Sequence, residues 1–396
     1  MKTFSGTKPG LIVAGLLALA HPLPAEEVVE VTKEFTPGNT KPIPVNVSGF
    51  TGEAAEAVQF DLFVQGFSFT SPDAAQYLIS GNNNGNLTGR ATDRFIKATL
   101  VNKGYTGATL RRQAHAFVDD FVKALGRKGI GATKIAFKAD RGSSGEIYIA
   151  DFDGANALAV THDNAIVAAP AWVPGRLALC YTSYHLGNPD IFLHDLGNGA
   201  RPCVANYAGS NISPAPSPDG SKVAMILSKS GSVDLWVSNA DKSGLKQLTR
   251  TKEDDSSPCW SPDGQWICFA TRVKEGDAER RVLCKVAASG GRAQRIATGG
   301  ISNPCEPDWS PDGKWIVFTA QMGGFELCVV PATGGTATLL VSGEDPSWGP
   351  NSRTVVFARR QGNRRTLSLL DVPTKQTKDV PRISDSGSNS QPSWAK

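Results

Sequence analysis

The stretch PCWSPDGQWICFAT (258–271) recurs in altered form as PDWSPDGKWIVFTA (307–320). Weaker copies are PAPSPDGSKVAMIL (214–227), PSWGPNSRTVVFAR (346–359) and PAWVPGRLALCYT (170–182), and PSWAK (392–396) repeats only the start. The tryptophan position of the six copies holds Trp172, Pro216, Trp260, Trp309, Trp348 and Trp394, at separations of 44, 44, 49, 39 and 46 residues. Such a period is typical of one four-stranded blade of a β-propeller.

Each copy repeats the same plan. Pro-x-Trp is predicted to begin the innermost strand of a blade, and Ser-Pro-Asp-Gly to form a tight turn, because proline fixes φ and glycine accepts a positive φ. The apolar run after the turn, such as WIVF (315–318), is predicted to be the next strand, apolar on both faces because neighbouring blades cover both. We expect Asp219, Asp263 and Asp312 to accept backbone hydrogen bonds within their own turns rather than to form a carboxylate ring.

The last copy has almost no chain after it, whereas an unpaired set of strands precedes the first copy. KIAF (134–137), EIYI (146–149) and ALAV (157–160) match the strands that should follow Trp394. We therefore predict that the ring closes by combining the final strand with these earlier ones, which leaves no exposed sheet edge. The predicted fold is mostly β, a six-bladed β-propeller over residues 134–396 preceded by a small α/β domain.

All eight Trp and all seven Cys lie at or after Trp172, and this shift in composition indicates two domains. Since the propeller strands begin at Lys134, the α/β domain is predicted over residues 26–133. The sequence predicts strands at 28–31 and 44–47, a short helix or loop at 73–79, and a loop at 81–86. The clearest element is a helix at 110–125, whose apolar residues fall on one 3.6-residue stripe. Thr109 can cap its start, and Gly126 suits its C-terminal end.

The first 25 residues are predicted to be a cleaved signal peptide. Lys2 and Lys8 accompany the apolar run LIVAGLLALA (11–20), which is too short to span a bilayer, and Ala25 offers a small residue before Glu26. The alternative is a retained membrane anchor. No later stretch approaches about 18 apolar residues, so the mature chain is predicted to have no membrane span. We also expect it to be a monomer.

Composition and motifs argue against several classes of function. The net charge is only +4 and the basic residues are scattered, so nucleic acid is not expected as a partner. The sequence has no metal-ligand spacing, nucleophile elbow or phosphate-binding loop, so no catalytic residue, cofactor or metal is predicted. DFDG (151–154) is favoured as a strand-connecting turn over a calcium loop. His115 is favoured as a packing histidine over a partner contact or a proton site.

The sequence has seven cysteines, which are Cys180, Cys203, Cys259, Cys268, Cys284, Cys305 and Cys328. An odd number cannot all pair within one chain. Most are predicted to pack as small hydrophobes. Cys259 and Cys305, near the starts of neighbouring repeats, are the best candidates for a pair.

The exported start, the small α/β domain and the WSPDG-type repeats together resemble the TolB family, the periplasmic component of the Tol–Pal envelope system. Three stretches strengthen the resemblance. One is QAHA (113–116), continued to Phe121 and followed by TKIAF (133–137). The others are EIYIADFDG (146–154), and SGSVDLWV (230–237) with QLT (247–249).

The resemblance implies a non-enzymatic scaffold. It would bind a Pal-like peptidoglycan-associated lipoprotein on one propeller face and TolA through its mature N-terminal segment, and so support outer-membrane integrity and constriction during cell division. The implied TolA segment is Glu26, Glu27, Val28, Val29, Glu30, Val31, Thr32 and Lys33. The alternative is that this segment is a simple edge strand of its own domain.

The lipoprotein face is predicted on the loops that lead into the inner strands, since these loops crowd around one mouth of the channel. Matching to the family places Ser210, Asn211, Ser213 and Ser256 at the contact. The loop of Ser256 also adds Asp255, and the equivalent loops of the other repeats add Asn303, Glu306 and Asp345. The alternative is that these loops merely connect strands and bind no partner.

Two other functions remain open from the residues alone. A propeller enzyme, lyase or peptidase-related, would show a His/Asp/Glu cluster at the channel mouth. A carbohydrate- or peptidoglycan-binding propeller would show an exposed ledge of Trp side chains.

Overall fold

The computed structural model describes residues 36–107, 109–250, 253–275, 278–381 and 387–396. The predicted signal peptide (1–25), the strand predicted at 28–31 and the TolA segment Glu26–Lys33 lie outside the described residues. Residues 36–396 group as one compact unit. The domain boundaries 26–133 and 134–396 stay a prediction.

The N-terminal region is a five-stranded sheet covered by two helices. Its elements are β1 (Ile43–Ser48), α1 (Gly52–Phe63), β2 (Phe67–Phe69), β3 (Tyr77–Asn82), β4 (Thr88–Asp93), β5 (Thr99–Gly104) and α2 (Leu110–Ala124). The sheet order is β2-β1-β3-β4-β5, with β1 parallel to both neighbours and the other pairs antiparallel. Apolar side chains of the sheet and both helices form one buried core.

The helix predicted at 110–125 is confirmed as α2. Thr109 has an extended backbone, and its Oγ1 accepts a hydrogen bond from the Arg112 N–H at 3.2 Å, as an N-cap should. Gly126 follows the helix with a φ of +72°, in the left-handed region that glycine favours. The short helix offered as one possibility for 73–79 is not formed, since β3 begins at Tyr77.

Helix α1 was not predicted. Its inward side holds Ala54, Ala57, Val58, Asp61 and Leu62. Two alanines and a buried aspartate weaken the apolar stripe by which a helix is recognised. The reason for the buried aspartate lies in its partner on α2, described below.

The propeller strands follow in chain order. They are β6 (Lys134–Arg141), β7 (Ser144–Asp151), β8 (Leu158–Ala159), β9 (Val167–Trp172), β10 (Ala178–Ser183), β11 (Asp190–Asp195), β12 (Cys203–Ala205), β13 (Asn211–Pro216), β14 (Lys222–Leu227), β15 (Asp234–Asn239), β16 (Lys246–Gln247), β17 (Asp255–Trp260), β18 (Trp266–Glu275), β19 (Ala278–Ala287), β20 (Gln294–Ile296), β21 (Pro304–Trp309), β22 (Trp315–Gln321), β23 (Phe325–Pro331), β24 (Thr338–Ser342), β25 (Glu344–Trp348), β26 (Thr354–Gln361), β27 (Arg364–Asp371), β28 (Gln376–Asp379) and β29 (Ser388–Trp394).

These strands form six antiparallel four-stranded sheets in the described chain, which confirms the six-bladed propeller. The first to fifth blades are β9–β12, β13–β16, β17–β20, β21–β24 and β25–β28. The closing blade has the order β29-β6-β7-β8, so the last strand completes a sheet begun at Lys134. The predicted ring closure is therefore confirmed.

One strand assignment was wrong: Pro-x-Trp ends the inner strand instead of beginning it. β17 runs from Asp255 to Trp260 and β9 from Val167 to Trp172. At this position, the indoles of two tryptophans reach across to the preceding blade. Trp260 Nε1 donates to the Ala215 carbonyl at 2.8 Å, and Trp348 Nε1 to the Asp308 carbonyl at 3.1 Å.

The Ser-Pro-Asp-Gly turns form as predicted. Gly264 has a φ of +69°, and Asp263 Oδ1 accepts hydrogen bonds from Ser261 Oγ and from the Gln265 N–H at 3.0 Å. Asp219 and Asp312 accept the same two bonds in their own turns. We call the channel end that carries these turns the turn mouth, and the end at which the inner strands begin the loop mouth.

All seven cysteines are free, and six of them are buried. The candidate pair Cys259–Cys305 is wrong, because Cys259 lies directly opposite Cys268 within its own blade. Burial raises the pKa of the Cys305 thiol to about 12. Such thiols behave as small apolar side chains, as predicted for most of them.

Candidate functional site

Each inner strand contains one non-glycine residue with a left-handed backbone, directly before a proline. The six residues are Ala169, Ser213, Ser257, Glu306, Asp345 and Gln391, with φ between +49° and +55°. The pairing of every inner strand with its neighbour shifts register at this point. A bulge of this kind bends a strand and redirects its side chains, and here all six residues line the central channel, a cavity of about 480 Å³.

Side chains of this ring bond to the backbone of the next blade. Glu306 Oε2 accepts from the Asp345 N–H at 3.0 Å, and Asp345 Oδ2 from the Gln391 N–H at 3.1 Å. Gln391 Oε1 then accepts from the Ala169 N–H at 2.9 Å. Burial and the neighbouring Glu306 carboxylate raise the pKa of Asp345. The two carboxyls predicted at the partner face thus link blades inside the channel.

Two other predicted face residues are buried and hold their own loops. Asn211 has no exposed surface; its side chain accepts from the Tyr207 N–H at 2.9 Å and donates to the Gly209 carbonyl at 3.2 Å. Asp255 is 1% exposed and accepts from Thr249 Oγ1 and from the Leu235 N–H. These side chains set the shape of the loop mouth and present no surface to a partner.

The remaining four predicted residues, Ser210, Ser213, Ser256 and Asn303, are half-buried at the loop mouth. They come from the second, third and fourth blades, and each lies close to the start of an inner strand. The structure therefore brings them to one face, although no residue of the predicted set is fully exposed. Partner contact remains a prediction for all eight.

An exposed apolar cluster on the same mouth was missed from the sequence. Ile166 is 48% exposed, Tyr184 37% and Leu186 63%, and the Tyr184 N–H donates to the Ile166 carbonyl at 2.9 Å. Between them, the His185 ring lies 4.5 Å from that of Phe192. The signal was hidden because Tyr-His-Leu-Gly gives no period that distinguishes an exposed hairpin tip from the end of a buried strand.

The same loop contributes to a Ser–His–Asp grouping, the arrangement in the described residues that most resembles a catalytic triad. Ser183 Oγ lies 3.1 Å from His185 Nδ1 and donates to Asp163 Oδ2 at 2.6 Å. Ser183 is fully buried, and Asp163 is also held by Arg201 at 2.6 Å. Ser183 has no solvent access and its hydroxyl donates to Asp163 rather than to His185, so this geometry is not that of a nucleophile activated by an adjacent base. This set braces the hairpin that presents Tyr184 and Leu186.

The features of a sugar-stacking or metal-binding site are absent from the described residues. All eight Trp lie among these residues and none of them is exposed, so there is no ledge for stacking sugars. Within the described ranges, no group of three or more His, Cys, Asp or Glu residues could hold a metal ion. Of the helices described, neither has the length and apolar composition that a bilayer crossing requires.

A second notable site joins the α/β region to the closing blade. His115 on α2 lies between two carboxylates: its Nδ1 is 2.6 Å from Asp61 Oδ2 on α1, and its Nε2 is 2.9 Å from Asp153 Oδ2 in the turn after β7. Arg111, one turn earlier on α2, reaches the same Asp153 oxygen at 2.5 Å. We call Asp61, His115, Asp153 and Arg111 the junction cluster.

The junction cluster is almost dry: Asp61, His115 and Asp153 are 0%, 4% and 1% exposed. Burial alone would lower the pKa of His115, but the two carboxylates outweigh burial and raise that pKa to about 10. Burial raises the pKa of Asp61 to about 6 despite the attraction of His115. His115 is therefore buried between α2 and its neighbours, as predicted, and because both ring nitrogens face carboxylates we conclude that it is also an imidazolium that bridges two ion pairs.

Three comparisons with known proteins bear on this architecture. The family model described as the TolB beta propeller domain matches residues 121–396. "Tol-Pal system protein TolB" of Bordetella pertussis is 32% identical over 335 residues, which cover 81% of this chain and 75% of that protein. The protein of the same name from Bordetella bronchiseptica is also 32% identical, over 81% and 74% of the two chains.

Among solved structures, this chain is similar in fold to the crystal structure of TolB from Acinetobacter baumannii. The TM-score is 0.80 at 22% sequence identity, and the match covers 91% of this chain and 98% of that chain. The likeness extends over the α/β region as well as the propeller.

Proposed function

The chain belongs to the TolB family, and from that premise we propose that it is a periplasmic, non-enzymatic scaffold of the Tol–Pal system. In this role it binds a Pal-like peptidoglycan-associated lipoprotein on the loop mouth and TolA through the segment Glu26–Lys33. Together these contacts support outer-membrane integrity and envelope constriction in cell division. The family relationship is the observation that carries the proposal.

The loop mouth suits a protein partner in its physical character. Half-buried polar groups such as Ser213 and Ser256 lie on the same mouth as the exposed apolar cluster of Ile166, Tyr184 and Leu186. Interfaces between separately folded proteins commonly combine an apolar centre with polar, hydrated surroundings. The buried side chains of the neighbouring loops hold those loops in place, so a partner would meet a surface that is already ordered.

We expect the double change Ser213→Arg and Ser256→Arg to reduce lipoprotein binding sharply. Both side chains are half-buried at the mouth, so each arginine adds bulk and an unpaired charge where the partner would dock. Surface changes usually alter the free energy of unfolding by only about 0.5 kcal/mol, and because these two positions are half-buried the melting temperature of the variant is measured as well. Calorimetric titration with the soluble domain of the Pal-like lipoprotein gives the affinity.

The matched control is Ser289→Arg, which changes an exposed serine at the turn mouth. It should leave the affinity unchanged. Equal affinity in the double variant, measured on protein that melts like the wild type, would place the interface elsewhere on the molecule.

Deleting Glu26–Lys33 should abolish TolA binding and leave lipoprotein binding intact. The segment EEVVEVTK alternates weakly and precedes Pro37-Gly38, so it can add as a strand to a partner's sheet. Binding of the soluble TolA domain to both forms is measured by calorimetry. If the deletion lowers thermal stability and TolA binding persists, the segment is an edge strand of its own domain and the proposed role is lost.

A further inference from the structure

The hairpin between β26 and β27 is unusually rich in arginine. Its sequence is RRQGNRR (359–365), with four arginines and no acidic residue. The two strands pair as far as Gln361 and Arg364, so the guanidinium groups cluster at one tip. We call residues 359–365 the arginine hairpin.

Within the arginine hairpin, Arg360 lies directly opposite Arg365 in the strand pairing. Two like charges in this position repel each other. Glu344, which is 5% exposed, lies between them: it accepts from Arg360 Nε at 3.2 Å and Nη2 at 2.9 Å, and from Arg365 Nε. The buried carboxylate thus holds two guanidinium groups side by side.

Both neighbouring blades fix the hairpin further. The Arg360 guanidinium lies 4.3 Å from the centre of the Phe325 ring in the fourth blade. The Arg365 N–H donates to Ser388 Oγ in the closing blade at 3.1 Å. Because these contacts order the tip, little side-chain freedom remains to be lost when a ligand binds.

Among the described residues, the local charge stays positive after its own ion pairs are counted. The four guanidinium groups have two carboxylates as ion-pair partners, Glu344 and Asp379. The Arg359–Asp379 pair is exposed to solvent, and its Nη1 and Oδ1 atoms are 3.5 Å apart. The nearby Asp140 is paired with Lys138 at 2.8 Å. Arg364 is exposed and forms no ion pair with any residue that the structure describes.

The arginine hairpin lies on the loop mouth. Glu344, which binds two of its arginines, is the first residue of the inner strand β25 and immediately precedes Asp345 of the channel ring. A protein seated on the loop mouth would therefore also meet the tip of this hairpin.

We propose that the arginine hairpin docks an acidic segment of the protein that occupies the loop mouth, an inference that rests on the proposed function. Guanidinium groups bind carboxylates through paired N–H donors in a planar fork. A fixed array with net positive charge attracts such a segment during the encounter and repels a basic one. The partner is thus identified by a carboxylate-rich patch beside its main contact.

The test compares association rates with the soluble domain of the Pal-like lipoprotein, using the exported form of the chain. Arg364→Glu should lower the rate about tenfold at low salt, because it reverses an exposed charge at the edge of the contact. The difference from wild type should vanish at about 1 M salt, where charges are screened beyond roughly 3 Å. The variant should melt like the wild type.

The matched control is Arg292→Glu, which changes an exposed arginine in the turn between β19 and β20, at the turn mouth. It should leave the rate unchanged. If Arg364→Glu matches this control, or speeds association, while Ser213→Arg with Ser256→Arg still blocks binding, the hairpin proposal is wrong and the function stands. If the wild-type chain does not bind the lipoprotein, both proposals fail.

Discussion

Replacing His115 with alanine should lower the free energy of unfolding by about 3–5 kcal/mol, as expected when one partner of a buried ion pair is removed. Asp153 would keep its contact with Arg111, but Asp61, with no exposed surface, would lose the cation that it contacts in the described chain. Urea unfolding at pH 7, followed by circular dichroism, gives the value.

The control separates lost packing from a stranded charge. The double variant Asp61→Asn, His115→Gln removes both charges and keeps similar volumes, so it should recover much of the loss. A loss below about 1 kcal/mol in His115→Ala, within the range of an exposed pair, would contradict the buried ion-pair bridge.

The junction cluster also predicts a direction of pH dependence. The pKa of His115 rises from 6.5 to about 10 on folding, so its stabilising contribution is complete below pH 6.5 and is lost as the pH rises through 10. The stability difference between wild type and the double variant Asp61→Asn, His115→Gln, which removes the titration of both groups, should therefore shrink from pH 6.5 to 10. Urea unfolding of both proteins across that range measures it, and a difference that grows with pH would overturn the assignment.

Deleting Gln391–Lys396 should open the ring and remove a large part of the protein's stability. Trp394 is 1% exposed, donates through Nε1 to Thr133 Oγ1 at 2.8 Å and stacks on Phe152 at 6.3 Å. Loss of a buried Trp costs about 3–5 kcal/mol, against a typical total of roughly 5–15 kcal/mol. The deletion also unpairs Ile135 and Ala136 at the start of β6 and removes the Lys396–Asp308 ion pair.

Thermal unfolding of the truncated and full chains tests the closure. Trp394→Phe, which keeps an aromatic ring against Phe152 but loses the indole N–H, should fall between the two. A truncated protein with the melting temperature of the full chain would mean that the closing strand adds nothing to stability.

Repeats made the propeller predictable from the sequence. The spacing of Trp172 to Trp394 and the unpaired run from Lys134 were enough for the blade count and the closure. The α/β region has no repeat, and α1 escaped notice because its buried stripe contains Asp61. That aspartate is explained only by His115, 54 residues away in sequence. A pattern of local periodicity cannot show such a pairing.

For the candidate site, the sequence predicted which loops lie together but not which of their side chains are exposed. The loops that begin the inner strands do meet at one mouth, but burial within each loop could not be derived from residue type. Asn211 and Asp255 are polar and yet enclosed, since their side chains satisfy loop backbone groups. Exposed groups such as Leu186 and Arg364 were overlooked, because an apolar or basic residue in a hairpin has no characteristic spacing.

The closing blade imposes an order of events on synthesis. β6 to β8 are made early, but their fourth strand, β29, begins only at Ser388. At about 5–20 residues per second, the ribosome needs tens of seconds to reach it from Arg141. Throughout that interval β6 has a free edge that another chain could join. A cell that makes this protein must therefore keep the nascent chain from aggregating until its last strand emerges.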